Sequence, residues 1–218
     1  MPANGINKNS FSKSSLRSEL RAKRRELSLQ QQTLAATKVS QLLRRQPFFK
    51  RSKALAYYWA NDGELSLHYL CVYAHTIAKQ SYLPLLKPGN DHRLLFLPFD
   101  EKTPMVNNRF GIPEPSVPLT TDRLVWTLDV VFFPLVGFDN QGNRLGMGGG
   151  FYDRTFSTLT MRPRRPLLIG IGHSCQELEQ VPIEPWDIAL DAVATEEKIF
   201  CSKRIGGRHF RHQDCHYF

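Results

Sequence analysis

Apolar runs alternate with amphipathic segments along most of this chain, in the order typical of an α/β domain. The apolar runs predict buried strands at residues 54–59, 82–86, 130–135, 166–171 and 190–194, and a short edge strand at residues 94–99. Between the first two strands, apolar side chains recur at helical spacing from Leu67 to Ala78. A strand, a helix and a second strand in this order form a right-handed parallel unit. The pattern therefore predicts a mainly parallel sheet.

Two helices are predicted ahead of the first strand, within residues 13–45. The first has an apolar face made by Leu16, Leu20 and Leu27. Ser28 followed by Gln31 matches a capping box, which starts the second helix. That helix is expected to turn four apolar side chains inward: Leu34, Val39, Leu42 and Leu43. The expected architecture is a three-layer α/β/α sandwich with a mainly parallel sheet, preceded by two N-terminal helices.

The length of 218 residues and the composition, 41% hydrophobic and 22% charged, fit one globular domain. We assign residues 13–198 to that domain. Residues 1–12 consist mostly of turn formers and are expected to be a disordered tail. Residues 199–218 are expected to be a basic C-terminal tail. Its loosely spaced histidines leave a metal cluster as the less favoured alternative.

No segment is predicted to enter a membrane or to direct export. No apolar run approaches the ~20 residues needed to span a bilayer, and the first twelve residues lack the apolar core of a secretory signal. The cysteines have neither a CxxC motif nor a metal-binding spacing, and they lie far apart at Cys71, Cys175, Cys201 and Cys215. Such cysteines are typical of reduced thiols, and we expect a cytoplasmic protein.

The net charge of +9 is concentrated at the N-terminus. Residues 1–53 carry 13 Lys or Arg and two Glu, a net charge of +11, whereas residues 54–202 carry a net charge of −5. One interpretation is a nucleotide- or nucleic-acid-binding module that uses the basic N-terminal helices. The other is a solvated helical face, some of whose cations meet a small anionic ligand. Aromatic residues are not interleaved with these charges as a nucleic-acid platform requires, so a nucleic-acid partner is not expected.

A glycine-rich stretch in residues 129–159 is the strongest candidate for a ligand site. A buried strand is followed by the loop Gly146 to Gly150, and then by a segment from Phe151 that can start a helix. Glycines let backbone N–H groups approach an anion closely, which makes a phosphate the natural guest. The loop is neither a Walker motif nor GxGxxG, because Phe151 stands where the last glycine would be. A tight turn without a ligand is the alternative.

Two residues outside that stretch are further candidates. Glu64 follows the first strand, and ligands of parallel sheets gather at the carboxyl ends of strands. Phe110 lies in residues 100–122, a proline-rich segment read as a long loop. Its ring either flanks a planar ligand or anchors the loop in the core, and the sequence does not separate these two interpretations.

The segment Gly142 to Asp153, GNRLGMGGGFYD, resembles the signature of the 5-formyltetrahydrofolate cyclo-ligase family. The pair Lys13 and Arg17, residues 62–64 and residues 181–187 agree with the same family in order and spacing. The resemblance covers residues 13–198 and implies ATP and Mg²⁺ as cofactors and 5-formyltetrahydrofolate as substrate. In the implied reaction, ATP phosphorylates the formyl oxygen, N10 attacks the activated carbon, and loss of phosphate leaves the 5,10-methenyl bridge. A monomer is expected.

The resemblance also implies roles for individual residues. The nucleotide side would comprise Lys13, Arg17, Arg144, Leu145, Gly146, Met147, Gly148, Gly149, Gly150, Phe151 and Tyr152. The folate side would comprise Trp59, Glu64, Phe110 and the loop residues Met147, Gly148, Gly149, Gly150 and Phe151. Catalytic roles are implied for Arg144, Tyr152 and Glu64, and Mg²⁺ binding for Asp153 and Asp187. Some relatives carry Arg and Lys where this chain has Met147 and Gly149, so backbone donors and the cations Lys13, Arg17 and Arg144 would have to suffice.

Overall fold

The computed structural model describes residues 12–89, 91–159 and 165–202. In these ranges the helices are α1 (Lys13–Arg25), α2 (Leu29–Arg45), α3 (Pro47–Arg51), α4 (His68–Thr76) and α5 (Phe151–Phe156). The strands are β1 (Ala54–Ala56), β2 (Gln80–Leu86), β3 (Leu94–Pro98), β4 (Met105–Asn107), β5 (Pro113–Pro115), β6 (Val130–Pro134), β7 (Gly137–Phe138), β8 (Arg144–Leu145), β9 (Leu167–Ile171), β10 (Ala192–Ala194) and β11 (Ile199–Cys201). Three-residue 3-10 turns lie at Leu119–Thr121, Val125–Thr127 and Ser174–Gln176.

Seven strands form the main sheet, in the order β11-β10-β9-β6-β1-β2-β3. The five strands from β10 to β2 are parallel, and each edge strand is antiparallel to its neighbour. The prediction of a mainly parallel sheet is confirmed. Because parallel strands end at the same edge, the segments that follow β1, β6, β9 and β10 meet there.

Both faces of the sheet are covered, as the period-two alternation along β6 shows. Phe132 packs with the buried residues of α2, α3 and α4 on one face. Phe133 packs on the other face with Phe156 of α5 and with connecting segments. The three-layer sandwich is confirmed, although its second helical layer is thin because α5 has six residues. Helix α1 lies at the carboxyl edge instead, where Leu20 packs with Val136, Leu145 and Val181.

The two predicted N-terminal helices are present, and both are capped by serine, but α1 ends at Arg25, so Leu27 of its predicted apolar face lies beyond it. Ser12 Oγ accepts from Ser15 N, and the capping box of Ser28 and Gln31 is complete. The inward assignment of Leu34 was wrong, because its side chain is 54% exposed. The buried stripe of α2 instead contains Ala35, Ala36, Val39, Ser40 and Leu43.

Two short elements differ from the sequence prediction. Residues 100–122 contain a hairpin of β4 and β5, where a loop was expected. Strand β11 lies at the start of the expected C-terminal tail and pairs antiparallel with β10, so the strand at residues 190–194 is not the last. The other tail residues, 203–218, and residues 1–11 lie outside the described ranges. In the described part of the chain, no helix is long and apolar enough to cross a membrane.

Candidate active site

The glycine loop extends from the end of a small hairpin at the carboxyl edge of the sheet. Strands β7 and β8 pair antiparallel, and the loop Gly146 to Gly150 connects β8 to α5. Gly148 and Gly150 have φ values of 96° and 67°, a left-handed backbone that glycine adopts without strain. Gly150 is the N-cap of α5, and the Gly149 carbonyl accepts from Arg154. Met147, Gly148 and Gly149 are exposed, so the loop is open to an incoming ligand.

Asp139 fixes the turn of this hairpin, and sequence reasoning missed it. Its buried carboxylate accepts from Gln141 N, from both Asn143 N and Asn143 Nδ2, and from Val181 N, at 2.9–3.0 Å. The turn sequence Asp-Asn-Gln-Gly was available as a signal, since Asp accepts from the backbone of such turns. Val181 is 42 residues from Asp139 in the chain, so this hydrogen bond also fixes the position of the segment that leads to Asp187.

Arg144 is buried at the start of the glycine loop. Its Nη2 donates to Asp153 Oδ1 at 2.6 Å, and its guanidinium carbon lies 5.3 Å from the centre of the Phe133 ring. Burial lowers the pKa of Arg144, and the charges of Asp153 and Asp187 oppose that effect. A pocket of about 170 Å³ opens here, between Arg144 and the segment 183–189. The predicted cation therefore lies at a pocket wall with two carboxylates within electrostatic reach.

The first two turns of α1 bring two predicted cations to the same place. Lys13 Nζ donates to Asp187 Oδ2 at 2.8 Å. Arg17 Nε donates to the Gly146 carbonyl at 2.8 Å, and its guanidinium lies against Gly148. The structure thus places Arg17 against the glycine loop and Lys13 beside Asp187, which lines the pocket next to Arg144.

Asp153 and Asp187 both lie beside Arg144, but each already has a cationic partner. Asp153 Oδ1 also accepts from Ile188 N at 3.1 Å, next to Asp187 in the chain. Within the described ranges, no three His, Cys, Asp or Glu side chains gather as a metal site. Mg²⁺ is commonly held by one or two carboxylates together with substrate phosphates, and this pair fits that arrangement.

Glu64 lies in a turn with an unusual backbone after β1. Asp62 and Gly63 have φ values of 52° and 76°, and the Glu64 side chain is 11% exposed. Glu64 Oε2 accepts from Asn61 N at 3.1 Å, and Oε1 lies 3.8 Å from Arg24 Nη2. Burial raises the pKa of Glu64 to about 7, opposed by Arg24 and by the Asn61 N–H. At neutral pH this carboxyl is poised between its acidic and basic forms.

Tyr152 interacts electrostatically with both Glu64 and Arg144. Its ring packs on Phe133 with centroids 4.6 Å apart. Burial raises the pKa of Tyr152, the Glu64 charge raises it further, and Arg144 lowers it. Tyr58, whose hydroxyl donates to the Leu65 carbonyl, also has a raised pKa through burial and through Glu64. Tyr152 therefore lies within electrostatic reach of both other predicted catalytic residues, Glu64 and Arg144.

Aromatic side chains border the glycine loop at the tip of the β4–β5 hairpin. Phe110 is 55% exposed and lies edge-on to Phe151, with centroids 6.2 Å apart. The Arg109 guanidinium carbon lies 5.0 Å from the Phe110 ring centre and 6.0 Å from that of Phe151, and His92 stacks on Phe151 at 5.3 Å. Phe110 is thus not a core anchor, and its contact with a planar ligand stays a prediction.

The hairpin tip is held by a short chain of hydrogen bonds. Asn108 Oδ1 accepts from Phe110 N and Ile112 N, and Asn108 Nδ2 donates to the Glu114 carboxylate. Trp59 follows β1 and lies edge-on to Phe99, with its own ring exposed. Exposed aromatic rings are thus present both at the hairpin tip and after β1.

Comparisons with known proteins agree with the resemblance of the motif. The model of the 5-formyltetrahydrofolate cyclo-ligase family matches residues 9–196. Similar curated proteins include the 5-formyltetrahydrofolate cyclo-ligases of Haemophilus influenzae and Escherichia coli K12. The first is 39% identical over 84% of this chain and 96% of its own length, and the second is 36% identical over 83% and 98%.

Solved structures match over a similar extent. The NMR structure of Aquifex aeolicus 5,10-methenyltetrahydrofolate synthetase has a TM-score of 0.75 and 30% identity, and it covers 93% of this chain and 97% of its own. A 5,10-methenyltetrahydrofolate synthetase from Mycoplasma pneumoniae shares the fold, with a TM-score of 0.67 and 23% identity over 85% of this chain and 99% of its own. This chain therefore belongs to the 5-formyltetrahydrofolate cyclo-ligase family.

Proposed function

We propose that this protein is an ATP-dependent ligase that cyclises 5-formyltetrahydrofolate to 5,10-methenyltetrahydrofolate, with release of ADP and phosphate. The observation that carries the proposal is that Tyr152, which follows the open glycine loop, lies within electrostatic reach of both Arg144 and Glu64. Cations for a triphosphate lie at the loop and at the pocket beside Arg144, and a titratable carboxyl lies in the turn after β1. The names of the relatives support the same reaction.

The nucleotide phosphates are proposed to bind along the glycine loop. Arg17 approaches the loop from α1, Arg144 precedes it in β8, and Lys13 pairs with Asp187 at the pocket beside Arg144. Residues Leu145 to Tyr152 would supply backbone donors and the wall behind the phosphates. Because Met147 and Gly149 bring no charge, the three cations and the backbone N–H groups carry the electrostatic attraction.

Asp153 and Asp187 are proposed to hold Mg²⁺ with the phosphates. The metal would neutralise charge on the phosphate oxygens and help to align the γ-phosphate. Lys13 now pairs with Asp187, so a bound nucleotide would give Lys13 a phosphate partner and free the Asp187 oxygen for the metal. Each carboxylate would then exchange one cation for another without being left uncompensated.

The folate is proposed to lie on the other side of the loop. Phe110 and Phe151 offer ring faces and edges for a pterin, and Trp59 offers a further exposed ring. Residues Met147 to Phe151 would separate the two ligands, with the formyl oxygen facing the γ-phosphate. Stacking of planar groups on such rings contributes both apolar burial and orientation.

In the first step the formyl oxygen attacks the γ-phosphorus, and ADP leaves with the electron pair of the broken P–O bond. N10 then attacks the formyl carbon, Glu64 accepts the N10 proton, and phosphate leaves with the C–O electron pair. Arg144 offsets the charge that develops during phosphoryl transfer, while Tyr152, kept protonated by its raised pKa, donates a hydrogen bond. A base with a pKa near the working pH suits the second step.

The proposal is tested by mixing protein, ATP, Mg²⁺ and 5-formyltetrahydrofolate and recording the absorbance of the methenyl product. We expect growth of this absorbance with the wild-type protein. Asp153→Ala should fold and lose Mg²⁺-dependent turnover, whereas Glu101→Ala, at an exposed position, should fold and keep it. No product at any concentration of folded wild-type protein would refute the function. Full activity of Asp153→Ala would refute the metal role alone.

We also propose that the enzyme is monomeric and cytoplasmic, and the free thiols of Cys71 and Cys175 support the cytoplasmic location. The nucleic-acid alternative receives no support from the relatives. The cations of α1 are also engaged within the chain, since Lys13 contacts Asp187, and Arg21, Arg24 and Arg25 all contact Asp62. Little of their charge is left as an uncompensated surface for a polyanion.

A further inference from the structure

Arg24 is fully buried at the carboxyl edge of the sheet, at 0% exposure in the last turn of α1. Its Nε donates to the Asp62 carbonyl at 2.8 Å, its Nη1 to the Leu135 carbonyl at 3.1 Å, and its Nη2 to Asp62 Oδ2 at 2.8 Å. One guanidinium thereby joins the end of β6 to the turn after β1. Each of the three guanidinium nitrogens thus has a partner, and a buried charge left without partners would be strongly destabilising.

Three arginines contact Asp62, but they do not stand in the same relation to Glu64. Arg21 and Arg25 pair with Asp62 from partly exposed positions, with 35% and 53% of their side chains accessible. Arg24 alone of the three has a nitrogen within 4 Å of a Glu64 oxygen, at 3.8 Å. The chain therefore offers a matched comparison between arginines that share one partner.

The turn that Arg24 holds has a backbone that needs external support. Asp62 is a non-glycine residue at φ 52°, a left-handed conformation that costs about 1–2 kcal/mol. Arg24 grips both the carbonyl and the carboxylate of this residue. His173 Nε2 lies 3.2 Å from the neighbouring Gly63 carbonyl. These contacts fix the position from which the Glu64 side chain departs.

The charged and titratable groups around Glu64 come from four elements. Helix α1 presents Arg24 and, more distantly, Arg21, while the turn itself presents Asp62. Tyr58 after β1 and Tyr152 of α5 face the same carboxyl. Burial and Asp62 favour the neutral acid, and Arg24 is the foremost group that favours the carboxylate.

We propose that Arg24 is the positioning residue of the reaction: it anchors the Asp62 turn and keeps the buried Glu64 carboxyl available as a base. This role rests on the proposed function of Glu64 as the acceptor of the N10 proton. Arg24 touches neither nucleotide nor folate in this scheme and acts through Glu64 alone. Loss of its charge would raise the pH at which Glu64 becomes a carboxylate.

The test measures the pKa of Glu64 directly, by NMR titration of protein labelled with ¹³C at the glutamate carboxyls. The resonance that disappears in Glu64→Gln identifies the group. In Arg24→Gln we expect the Glu64 pKa to rise by about 1–3 units, because an opposite charge at this range shifts a carboxyl by that amount. The control Arg25→Gln, which also removes one contact to Asp62, should leave the pKa of Glu64 in place.

Turnover should follow the same order. The rise of kcat with pH should move to higher pH in Arg24→Gln and recover towards the wild-type value at alkaline pH, while Arg25→Gln keeps the wild-type profile. An unchanged Glu64 pKa in folded Arg24→Gln would overturn the proposal. If Arg24→Gln does not fold, Arg24→Lys is the deciding variant, because it keeps the charge but loses the forked hydrogen bonds of the guanidinium. A pH profile with the wild-type pKa and a lower kcat would support the positioning role. An unaltered kcat would overturn it.

The two proposals fail separately in this design. A wild-type protein that makes no methenyl product would sink the proposed function, whatever the titration shows. An active wild-type enzyme whose Glu64 pKa does not respond to Arg24→Gln would remove Arg24 from the mechanism and leave the reaction in place.

Discussion

Glu64 sits where burial raises its pKa to about 7, from the 4.5 of a free glutamate. Between these two pH values the folded protein binds more protons at this site than the unfolded chain does, so the free energy of unfolding falls as pH rises. Glu64→Gln removes the ionisable group and with it this decrease in the free energy of unfolding. We expect the variant to be more stable than wild type at pH 8, by on the order of 3 kcal/mol, and little changed near pH 4.

Urea unfolding at both pH values measures this effect. The exposed Glu101→Gln serves as the control and should show no such dependence on pH. Equal stability of wild type and Glu64→Gln at pH 8 would mean that the carboxyl is solvated in the folded protein. A gain in stability coupled to a loss of turnover would be typical of a functional group.

The pKa of Asp62 is shifted in the opposite direction to that of Glu64, so its effect on stability has the opposite dependence on pH. Burial alone would raise its pKa, but hydrogen bonds from Arg21, Arg25 and Arg24 outweigh burial and lower it to about 2, from 3.8. The stabilisation is therefore complete above pH 4 and is lost as the pH falls towards 2. Asp62→Asn should cost about 2 kcal/mol at pH 7, and the difference from wild type should shrink in acid.

Acid titrations followed by circular dichroism, combined with urea unfolding at pH 7, test this expectation. Asp91→Asn is the control, because Asp91 pairs with Lys87 at the surface and such pairs contribute little. A pH-independent loss in Asp62→Asn would show that the turn depends on the shape of the side chain and not on its charge.

At the scale of elements, the turn of the β7–β8 hairpin packs so closely that it should not tolerate a larger side chain at Gly142. A Cβ on Gly142 would lie 2.7 Å from the Leu190 carbonyl and 2.8 Å from Ser202 Cβ, and the residue has a φ of 81°. Gly142→Ala should cost about 1–2 kcal/mol for the backbone and a further 1–3 kcal/mol for the overlap, about 2–5 kcal/mol in all.

Gly111→Ala is the matched control, because Gly111 has a φ of 73° but no atom within 4 Å of an added Cβ. It should lose the backbone cost alone, and the difference between the two variants in thermal or urea unfolding isolates the overlap. Similar losses in both would contradict the close packing at Gly142. Since this hairpin carries Arg144, the Michaelis constant for ATP should rise in Gly142→Ala and stay unchanged in Gly111→Ala.

Elements with a strong local pattern could be predicted from the sequence, and short ones with distant partners could not. The capping box of Ser28 and Gln31 is a local motif, and it forms. Strand β11 has three residues and is fixed by pairing with β10, which local periodicity does not reveal. Pro113 and Pro115 favoured a loop at β5. That strand is nevertheless compatible with proline, because it pairs with β4 in a two-stranded sheet and is therefore an edge strand.

The whole molecule explains why part of the site was predictable. The rule that ligands gather at the carboxyl ends of parallel strands placed Glu64 near the glycine loop, and the structure has both at that edge. Arg24 was missed because its partners lie far along the chain, whereas Asp139 lies in a turn whose local sequence carried a signal and only its bond to Val181 is distant. Arg24 reaches the Leu135 carbonyl across 111 residues, a contact that no motif encodes.

Helix α1 connects the two halves of the proposed site as one rigid body. It has 13 residues and is therefore about 20 Å long. Lys13 and Arg17 near its start meet the nucleotide side, Leu20 packs at its middle, and Arg24 near its end holds the turn of Glu64. A nucleotide that repositions the start of this helix acts on the same body that supports the folate side.

The two substrates should consequently bind with positive linkage. Titration calorimetry with a non-hydrolysable ATP analogue and 5-formyltetrahydrofolate should show each ligand tightening the other by about 5-fold or more. Thermodynamics requires the two factors to be equal, and Leu20→Ala, which loosens the middle of α1, should reduce both. Independent affinities in the wild type would contradict this coupling. With positive linkage, ATP would bind the glycine loop mainly when the folate is already bound. Hydrolysis of ATP that is not coupled to formation of the methenyl product would then be suppressed.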